Sequence, residues 1–344
     1  MIKIQAKIDK NKYGQYFTPN LIADFMIELA DTELHSKVLE PSSGTGVFLD
    51  LLQKKGFENI SAYEIDKKLA QKHNFVKNEN FLSADIQTKF DLIIGNPPYI
   101  RWKNLEDELK DELANNPLWN KYFNSLCDYS YLFILKSIEL LEENGQLIFI
   151  TPEYWLNTMH ALNLRNYMLK NGYFEAIYHF NETPIFENAT VSTIIFKYIK
   201  SKSFKAKEIN VVKYYDKTKL TLEKLTNIKN NVKGDKITVF KSPQFKENQR
   251  WLLVDEETIK KMQFFENACE KQNLKQELSL FEPEAMIDYH TIGEFCDIAN
   301  GMVSGLDKAF QLNGEELNSN EKKHTLNVIK AKNLQAFSYQ KITK

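Results

Sequence analysis

The 344-residue chain has few cysteines and no long apolar segment. Its three cysteines, Cys127, Cys269 and Cys296, lie far apart and match neither a disulfide framework nor a zinc-ligand spacing, as is typical of proteins in a reducing cytoplasm. No uninterrupted apolar run approaches the ~20 residues that a membrane-spanning helix needs. The residues after Met1 do not form a hydrophobic signal region. The sequence therefore predicts a cytoplasmic protein without a membrane partner.

The chain also lacks a charge excess and a cluster of histidines. Its formal net charge is −1, whereas dedicated nucleic-acid-binding proteins tend to be basic. The charge is unevenly distributed, because residues 201–250 hold thirteen Lys and Arg against five Asp and Glu. Such a segment either follows a phosphate backbone or forms a solvated lysine-rich face. The six histidines have no ligand-like spacing, so no metal site is predicted.

Hydrophobic residues make up 43% of the chain, enough for a large core in one large or two ordinary domains. Short apolar runs predict buried strands at 37–40, 60–64, 81–84 and 90–95. Helical patterns at 47–54 and 67–72 lie between them, and a helix at 131–141 precedes further strands at 146–151, 174–180, 190–198 and 208–215. This alternation indicates an α/β fold with a doubly wound, mainly parallel sheet.

The most informative motif is Asn96-Pro97-Pro98-Tyr99, which directly follows the apolar run 90–95. The end of a buried parallel strand is where open α/β folds bind their ligands. The Asn96 side-chain carbonyl and the neighbouring proline carbonyl are two acceptors for a planar amino group, and Tyr99 offers an aromatic face to the ring that carries it. A rigid strand-to-loop turn is the alternative, because Pro-Pro by itself enforces an extended backbone.

A second motif combines a glycine turn with acidic residues at strand ends. The first predicted strand ends at Glu40 and leads into Gly44 and Gly46, where the backbone is able to approach a ligand closely. Glu64 ends the second predicted strand, in the position of a carboxylate that binds ribose hydroxyls. Asp85 falls where the third predicted strand ends. Taken singly, each acid is better explained as a loop residue or helix cap, but three at successive strand ends indicate a binding site.

In their order along the chain, these motifs resemble those of the gamma-class, TaqI-like N6-adenine DNA methyltransferases of restriction–modification systems. The run Gly14-Gln-Tyr-Phe-Thr-Pro19 comes first, Glu-Pro-x-x-Gly-x-Gly-x-Phe-Leu starting at Glu40 follows, and Asn-Pro-Pro-Tyr comes third. The likeness covers roughly residues 12–200. It implies a Rossmann-like fold, S-adenosyl-L-methionine as the methyl donor and double-stranded DNA as the substrate. It also implies a separate specificity chain or a cognate restriction endonuclease as possible partners.

By motif position, the resemblance assigns a role to individual residues. On the cofactor's methionine end, it places Tyr16 and Thr18 beside the chain, Glu40 and Ser42 facing the amino and carboxylate groups, and Gly44 and Gly46 in the turn. On the nucleoside end, it places Glu64 on the ribose hydroxyls and Ile65 against the adenine. Asp85 would accept from the exocyclic amine, with Ile86 beside it and Pro98 nearby. Asn96 and Pro97 hold N6 of the target adenine, and Tyr99 stacks on that base. Phe186, before the β-branched run 190–195, is the second stacking residue, with Phe180 or a core role for either as the alternatives.

The resemblance extends more loosely to the carboxyl terminus. Residues 255–281 have the pattern of a charged helix, and from Thr291 an apolar alternation broken by glycines predicts β-hairpins. This tail is similar to the opening of the family's target-recognition domains. We therefore expect a catalytic domain at 1–245, a helical linker at 246–288 and the beginning of a recognition domain at 289–344. Because such domains normally run longer, we expect an incomplete recognition domain, and no nuclease domain before Gly14.

Two other functions stay open. Asn-Pro-Pro-Tyr also occurs in methyltransferases that modify a protein glutamine and, with small changes, in those that modify RNA. Both groups lack the Gly-Gln-Tyr-Phe-Thr-Pro run and the hairpin-rich tail. The second alternative is an inactive DNA-binding specificity fragment. It is disfavoured by four intact motif residues, Glu40, Glu64, Asp85 and Asn96.

Overall fold

A computed structural model describes residues 16–186, 191–203 and 206–273, together with the short paired strands β10 (Leu334–Gln335) and β11 (Ser338–Tyr339). The run from Thr291 to Phe310, on which the β-hairpins are predicted, lies outside the described residues, as does the start of the Gly-Gln-Tyr-Phe-Thr-Pro run. The chain divides into two compact units, residues 1–263 and 264–344. Helix α9 (Glu256–Asn273) begins in the first unit and ends in the second.

The first unit contains a nine-stranded sheet in the order β3-β2-β1-β4-β5-β7-β6-β8-β9. The strands are β1 (Lys37–Glu40), β2 (Asn59–Tyr63), β3 (Val76–Lys77), β4 (Phe90–Gly95), β5 (Leu141–Pro152), β6 (Gly172–His179), β7 (Thr193–Lys200), β8 (Glu208–Tyr214) and β9 (Ile237–Pro243). Neighbours from β3 to β5 are parallel, whereas β7 is antiparallel to both β5 and β6, and β9 is antiparallel to β8. The predicted α/β fold is confirmed, with these antiparallel strands added to the parallel half.

Helices cover both faces of this sheet. They are α1 (Asn20–Ile27), α2 (Val47–Lys54), α3 (Lys67–Ala70), α4 (Asp107–Ala114), α5 (Pro117–Tyr122), α6 (Ser130–Leu140), α7 (Leu162–Asn171) and α8 (Leu222–Lys229). Alternate residues of β4 point to opposite faces, so Ile93 packs in the core that contains α4–α7 while Leu92 and Ile94 pack with α1, α2 and α8. None of the helices described is long and apolar enough to cross a membrane.

The order of the strands reverses between β1 and β4, which lie side by side and run parallel. Crossover connections leave this point toward opposite sides, so a crevice opens at the carboxyl ends of the two strands. Glu40 is the last residue of β1, and Asn96 directly follows β4. The topology therefore brings together two motifs that are more than fifty residues apart in the sequence.

Residues 81–83 form a turn, so the strand predicted at 81–84 is wrong, and the third strand is β3. The Asn80 Oδ1 atom accepts a hydrogen bond from the Leu82 N–H at 3.1 Å, and the Asn80 carbonyl accepts from Ser83 N at 3.1 Å and Ala84 N at 3.0 Å. These local bonds replace a strand ladder. The apolar residues of the turn are buried, which explains its strand-like pattern.

Candidate active site

Two adjoining cavities lie at the carboxyl edge of the parallel strands. The first, about 760 Å³ with its open mouth, is lined by ten of the predicted site residues: Tyr16, Thr18, Glu40, Ser42, Gly44, Glu64, Ile65, Asn96, Pro97 and Pro98. The second, about 890 Å³ with its open mouth, is lined by the predicted Tyr16, Tyr99 and Phe186. The Asn-Pro-Pro-Tyr segment thus forms part of the wall of both cavities, with Asn96 on the first and Tyr99 on the second.

The Asn96 side chain is held in one orientation by its hydrogen bonds. Its Nδ2 donates to the Tyr16 carbonyl at 2.7 Å and to Thr18 Oγ1 at 3.0 Å. Its Oδ1 accepts a hydrogen bond from the Tyr99 hydroxyl, which also contacts the Ile150 carbonyl. The Ser42 hydroxyl donates to the Asn96 backbone carbonyl at 3.1 Å. Because both amide hydrogens are occupied, the amide presents an acceptor, with one lone pair to spare, rather than a donor.

Three aromatic rings meet at the border between the cavities. The Tyr16 ring centroid is 6.0 Å from that of Tyr99 and 5.6 Å from that of Phe186. Phe180, the alternative to Phe186, is fully buried against Phe25 and does not line the second cavity. Of the two candidates, Phe186 is therefore the one that is placed to touch a ligand there.

Glu40 is a buried carboxylate at the wall of the first cavity. It is 1% exposed, and its Oε2 has no hydrogen-bond partner among the described residues. Burial, followed by the nearby Glu64 and Asp50 carboxylates, raises the pKa of Glu40 well above its usual range. A buried acceptor without a partner is costly, and a cationic or N–H-bearing ligand in this cavity removes that cost.

Glu64 fastens the glycine turn to the end of β2. Its Oε2 accepts from the Gly44 N–H at 2.7 Å and its Oε1 accepts from the Asp66 N–H at 2.8 Å. Burial raises the pKa of Glu64, and these two N–H groups act in the opposite direction. A carboxylate has about four acceptor positions, so both oxygens keep capacity for a ligand hydroxyl.

Asp85 and Ile86 do not reach the first cavity, which corrects their predicted placement. Asp85 is exposed, accepts from Gln87, and lines a separate acidic groove with Glu108 and Asp111. The residues that line the cavity at this point are Glu79, Asn80 and Phe81. The cause is the turn at 81–83. Because these residues do not form a strand, the chain lines the cavity up to Phe81, and Asn80 lies there five residues before Asp85.

Gly46 also lies outside the lining of both cavities. It precedes α2 with a φ of +84°, and a Cβ built on it would overlap the imidazole of His73. Glycine is needed here for a left-handed backbone and for close contact with the His73 side chain.

We expect Gly46→Ala to lower the free energy of unfolding by about 1–2 kcal/mol from the left-handed conformation, with the clash against His73 adding to it. Chemical denaturation measures this loss. Gly234→Ala is the matched control, because a Cβ there meets nothing within 4 Å and no positive φ is required. Equal stability of the two variants would contradict this account of Gly46.

The second cavity has a rim that the sequence reasoning did not identify. Arg101, Lys103 and Asn104 lie on it with exposed side chains, and Asp128 and Tyr154 form a deeper wall. Asp128 is buried and accepts from Ser130 N at 3.0 Å, Ser130 Oγ at 2.7 Å and the Tyr154 hydroxyl at 2.8 Å. The available sequence signal was a pair of cations, Arg101 and Lys103, within four residues of the end of Asn-Pro-Pro-Tyr.

Comparisons with known proteins identify relatives of this chain. Residues 21–186 match the family model described as Eco57I restriction-modification methylase. The chain is 40% identical over 335 residues to the Type II methyltransferase M.HindII of Haemophilus influenzae (strain ATCC 51907 / DSM 11121 / KW20 / Rd), an alignment that covers 97% of this chain and 62% of that relative. It is 37% identical to the Type II methyltransferase M.HincII of Haemophilus influenzae, covering 97% of this chain and 61% of that relative. The chain thus spans about three fifths of the length of these two relatives.

The fold is shared with a methyltransferase of known structure. The type I restriction-modification system methyltransferase subunit from Streptococcus thermophilus superposes with a TM-score of 0.52 at 19% identity, covering 70% of this chain and 58% of that one. At this identity the likeness concerns the fold alone, which is the Rossmann-like fold of methyltransferases. The predicted relation to the methyltransferases of restriction–modification systems is confirmed: residues 21–186 are an Eco57I restriction-modification methylase domain.

Proposed function

We propose that this chain transfers a methyl group from S-adenosyl-L-methionine to N6 of an adenine that is turned out of double-stranded DNA. The modified DNA would be protected in a restriction–modification system of the cytoplasm. The observation that carries the proposal is the pair of adjoining cavities that share the Asn-Pro-Pro-Tyr segment as a wall. One cavity has buried carboxylates and suits a cofactor, and the other has aromatic side chains and suits a base.

The first cavity has groups that match each part of S-adenosylmethionine. The unpartnered Glu40 Oε2 fits its amino group, and the Glu64 carboxylate fits its ribose hydroxyls. Ile65 and Phe81 lie where a flat adenine would pack, and Asn80 takes the role first given to Asp85, as acceptor for the exocyclic amine. When bound, the cofactor supplies an electrophilic methyl group on its sulfonium.

The Asn96 and Pro97 carbonyl oxygens would accept hydrogen bonds from the target amine. An adenine amine is a poor nucleophile because its lone pair is delocalised into the ring. Acceptors on its two hydrogens favour a pyramidal nitrogen and stabilise the positive charge that develops as it reacts. The hydrogen bonds from Asn96 Nδ2 to Tyr16 and Thr18 fix the orientation of the Asn96 side-chain oxygen before the amine binds, so little reorganisation is needed. Much of the remaining rate comes from holding the two reactants in line.

Tyr99 and Phe186 would stack on the extruded base. Taking a base out of a duplex costs a few kcal/mol, and stacking on aromatic side chains returns about 1–3 kcal/mol per base. The Tyr16 ring contacts both Tyr99 and Phe186. An adenine that stacks on both rings therefore displaces the Tyr16 side chain from this border.

Arg101 and Lys103 are the cations best placed to bind DNA phosphates beside the second cavity. Both line its rim, and Trp102 between them stacks on the buried Trp119 with ring centroids 5.5 Å apart, which fixes the segment. Several lysines of the basic segment 201–250 are less available, because Lys217, Lys224 and Lys229 each pair with a carboxylate. We propose residues 1–245 as the catalytic domain, 246–288 as a linker and 289–344 as part of a DNA-recognition domain.

We expect cofactor affinity to fall as the pH drops through the raised pKa of Glu40. A ligand ammonium binds the ionised carboxylate, and below that pKa the carboxyl group must first lose its proton. Glu40→Gln should weaken binding at neutral pH and remove the share of the pH dependence that Glu40 supplies. Calorimetric titration with S-adenosylmethionine at several pH values measures both effects. The exposed Glu58→Gln is the control, and an unchanged pH profile in Glu40→Gln would remove Glu40 from the ammonium site.

The class of molecule that receives the methyl group is tested by competition among substrates. The protein is incubated with labelled S-adenosylmethionine and equal amounts of unmethylated DNA, RNA and total protein, and the label in each is counted. The proposal predicts label in DNA. Label in RNA or protein instead would favour the alternative methyltransferases, and failure of the chain to bind the cofactor at all would favour an inactive DNA-binding specificity fragment.

A further inference from the structure

A lysine on the buried helix α6 ties the turn beside the first cavity to the core. Lys136 Nζ donates to the carbonyl oxygens of Phe81 at 2.6 Å, Leu82 at 3.1 Å and Ala84 at 2.7 Å. Among the described residues, the one other side chain that bonds to these carbonyls is Asn116, whose Nδ2 is 3.3 Å from the Leu82 oxygen. An ammonium with three N–H groups thus matches three carbonyls that the turn leaves without a strand partner.

The turn held in this way carries two residues of the cavity wall. Asn80 and Phe81 line the first cavity, whereas Lys136 itself does not. The Lys136 ammonium also lies 5.1 Å from the centroid of the Phe81 ring, so it contacts both the carbonyl and the aromatic face of this residue. The position of Phe81 in the cavity therefore depends directly on Lys136.

We propose that Lys136 is a positioning residue for the cofactor, which holds the 80–84 turn so that Asn80 and Phe81 face the cofactor's adenine. This inference rests on the proposed function, since it takes S-adenosylmethionine to be the ligand of the first cavity. A methionine in place of Lys136 would fill a similar volume without the cost of burying a charge, but it would leave the carbonyls of Phe81 and Ala84 without a donor.

The charge state of Lys136 supplies a second readout. Burial lowers the pKa of Lys136 to about 8, against the opposing effect of the carboxylates of Glu79 and Asp85 near the turn and Glu139 on its own helix. As the pH rises through this value the amine loses its charge and one of its three N–H donors. Cofactor affinity should therefore fall on the alkaline side, in the opposite direction to the effect of Glu40.

The test compares Lys136→Met with Lys200→Met. Lys200 is a matched control because its Nζ also donates to backbone carbonyls, those of Glu139 at 3.1 Å and Leu141 at 2.6 Å, and burial also lowers its pKa, but it lines neither cavity. We expect Lys136→Met to weaken S-adenosylmethionine binding by roughly tenfold or more and Lys200→Met to leave it unchanged. Losing a positive charge near a cationic ligand would by itself strengthen binding, so a weaker affinity reports the loss of positioning.

Two further measurements complete the test. Lys136→Arg keeps its charge at alkaline pH, so it should retain affinity and lose less of it above pH 8 than the wild type, because only the cofactor's own amino group then titrates there. In the cofactor-free protein, amide exchange at Ser83 and Ala84 should accelerate in Lys136→Met and not in Lys200→Met. Unchanged exchange, or equal losses of affinity in both methionine variants, would overturn the role of Lys136. A wild-type protein that binds no cofactor would refute the proposed function instead, and with it the cofactor part of this inference.

Discussion

Asn96→Ala is expected to lower the rate of methyl transfer by at least roughly a hundred- to a thousandfold, the usual cost of removing one preorganised group that stabilises developing charge. The variant loses the Oδ1 acceptor and the amide that Tyr16 and Thr18 hold in place. Cofactor affinity should stay close to that of the wild type, because the carboxylates of the first cavity are untouched. Single-turnover transfer and calorimetric titration measure the two effects separately.

Asn59→Ala is the matched control for this variant. Asn59 also donates its Nδ2 to a backbone carbonyl, that of His35 at 2.7 Å, but it lies at the amino end of β2, away from both cavities. Its substitution should leave transfer and binding unchanged. If Asn96→Ala lost cofactor affinity as strongly as it lost transfer, Asn96 would belong to the cofactor site and not to the site of the target base.

Glu64→Ala is expected to weaken cofactor binding by about 1.5–3 kcal/mol, the range for hydrogen bonds to a charged group. The variant removes the acceptor proposed for the ribose hydroxyls and also releases the Gly44 N–H that Glu64 holds at 2.7 Å. Both losses affect the first cavity. The cofactor dissociation constant of the variant, measured by titration, reports their sum.

Asp66→Ala separates this effect from a general loss of stability. Asp66 is the N-cap of α3, where its side chain accepts from Lys68 N at 2.8 Å, and it does not line the first cavity. Its substitution should reduce the free energy of unfolding by about 0.5–2 kcal/mol and leave cofactor affinity intact. Unchanged affinity in Glu64→Ala would remove this carboxylate from the ribose site.

The sequence predicted the parallel half of the sheet well, because its strands are short apolar runs that end at motif residues. Strands β1, β2 and β4 lie close to where the periodicity placed them. Helices α7 and α8 and strand β9 were not predicted. The β9 residues are mostly half-exposed at the edge of the sheet, so their pattern gives a weak hydrophobic signal.

Asp85 shows where pattern reading fails. The run Phe81-Leu82-Ser83-Ala84 has the composition of a buried strand, and burial is indeed what the structure shows for its apolar members. The burial arises from a turn closed by Asn80 and anchored by Lys136, and a single-residue cap is harder to detect than a strand period. Asn80 just before the run was the signal that favours a turn.

The second cavity is only partly predictable from the sequence, for a different reason. Tyr16, Tyr99 and Phe186 come from three distant segments, and their meeting depends on the position of β5 and β7 in the sheet. The motifs nominated each aromatic residue, but the contact of Tyr16 with the other two follows only from the tertiary fold. The same holds for Arg101 and Lys103, whose place at the rim depends on the stacking of Trp102 on Trp119.

The most direct test of the central claim is the identity of the methylated nucleoside. Unmethylated genomic DNA is incubated with the protein and methyl-labelled S-adenosylmethionine, digested to nucleosides and separated by chromatography. The cavities and the Asn-Pro-Pro-Tyr wall between them predict that the label elutes with N6-methyladenine and disappears in Asn96→Ala. Label in a cytosine derivative, or label in DNA that persists in Asn96→Ala, would contradict the account.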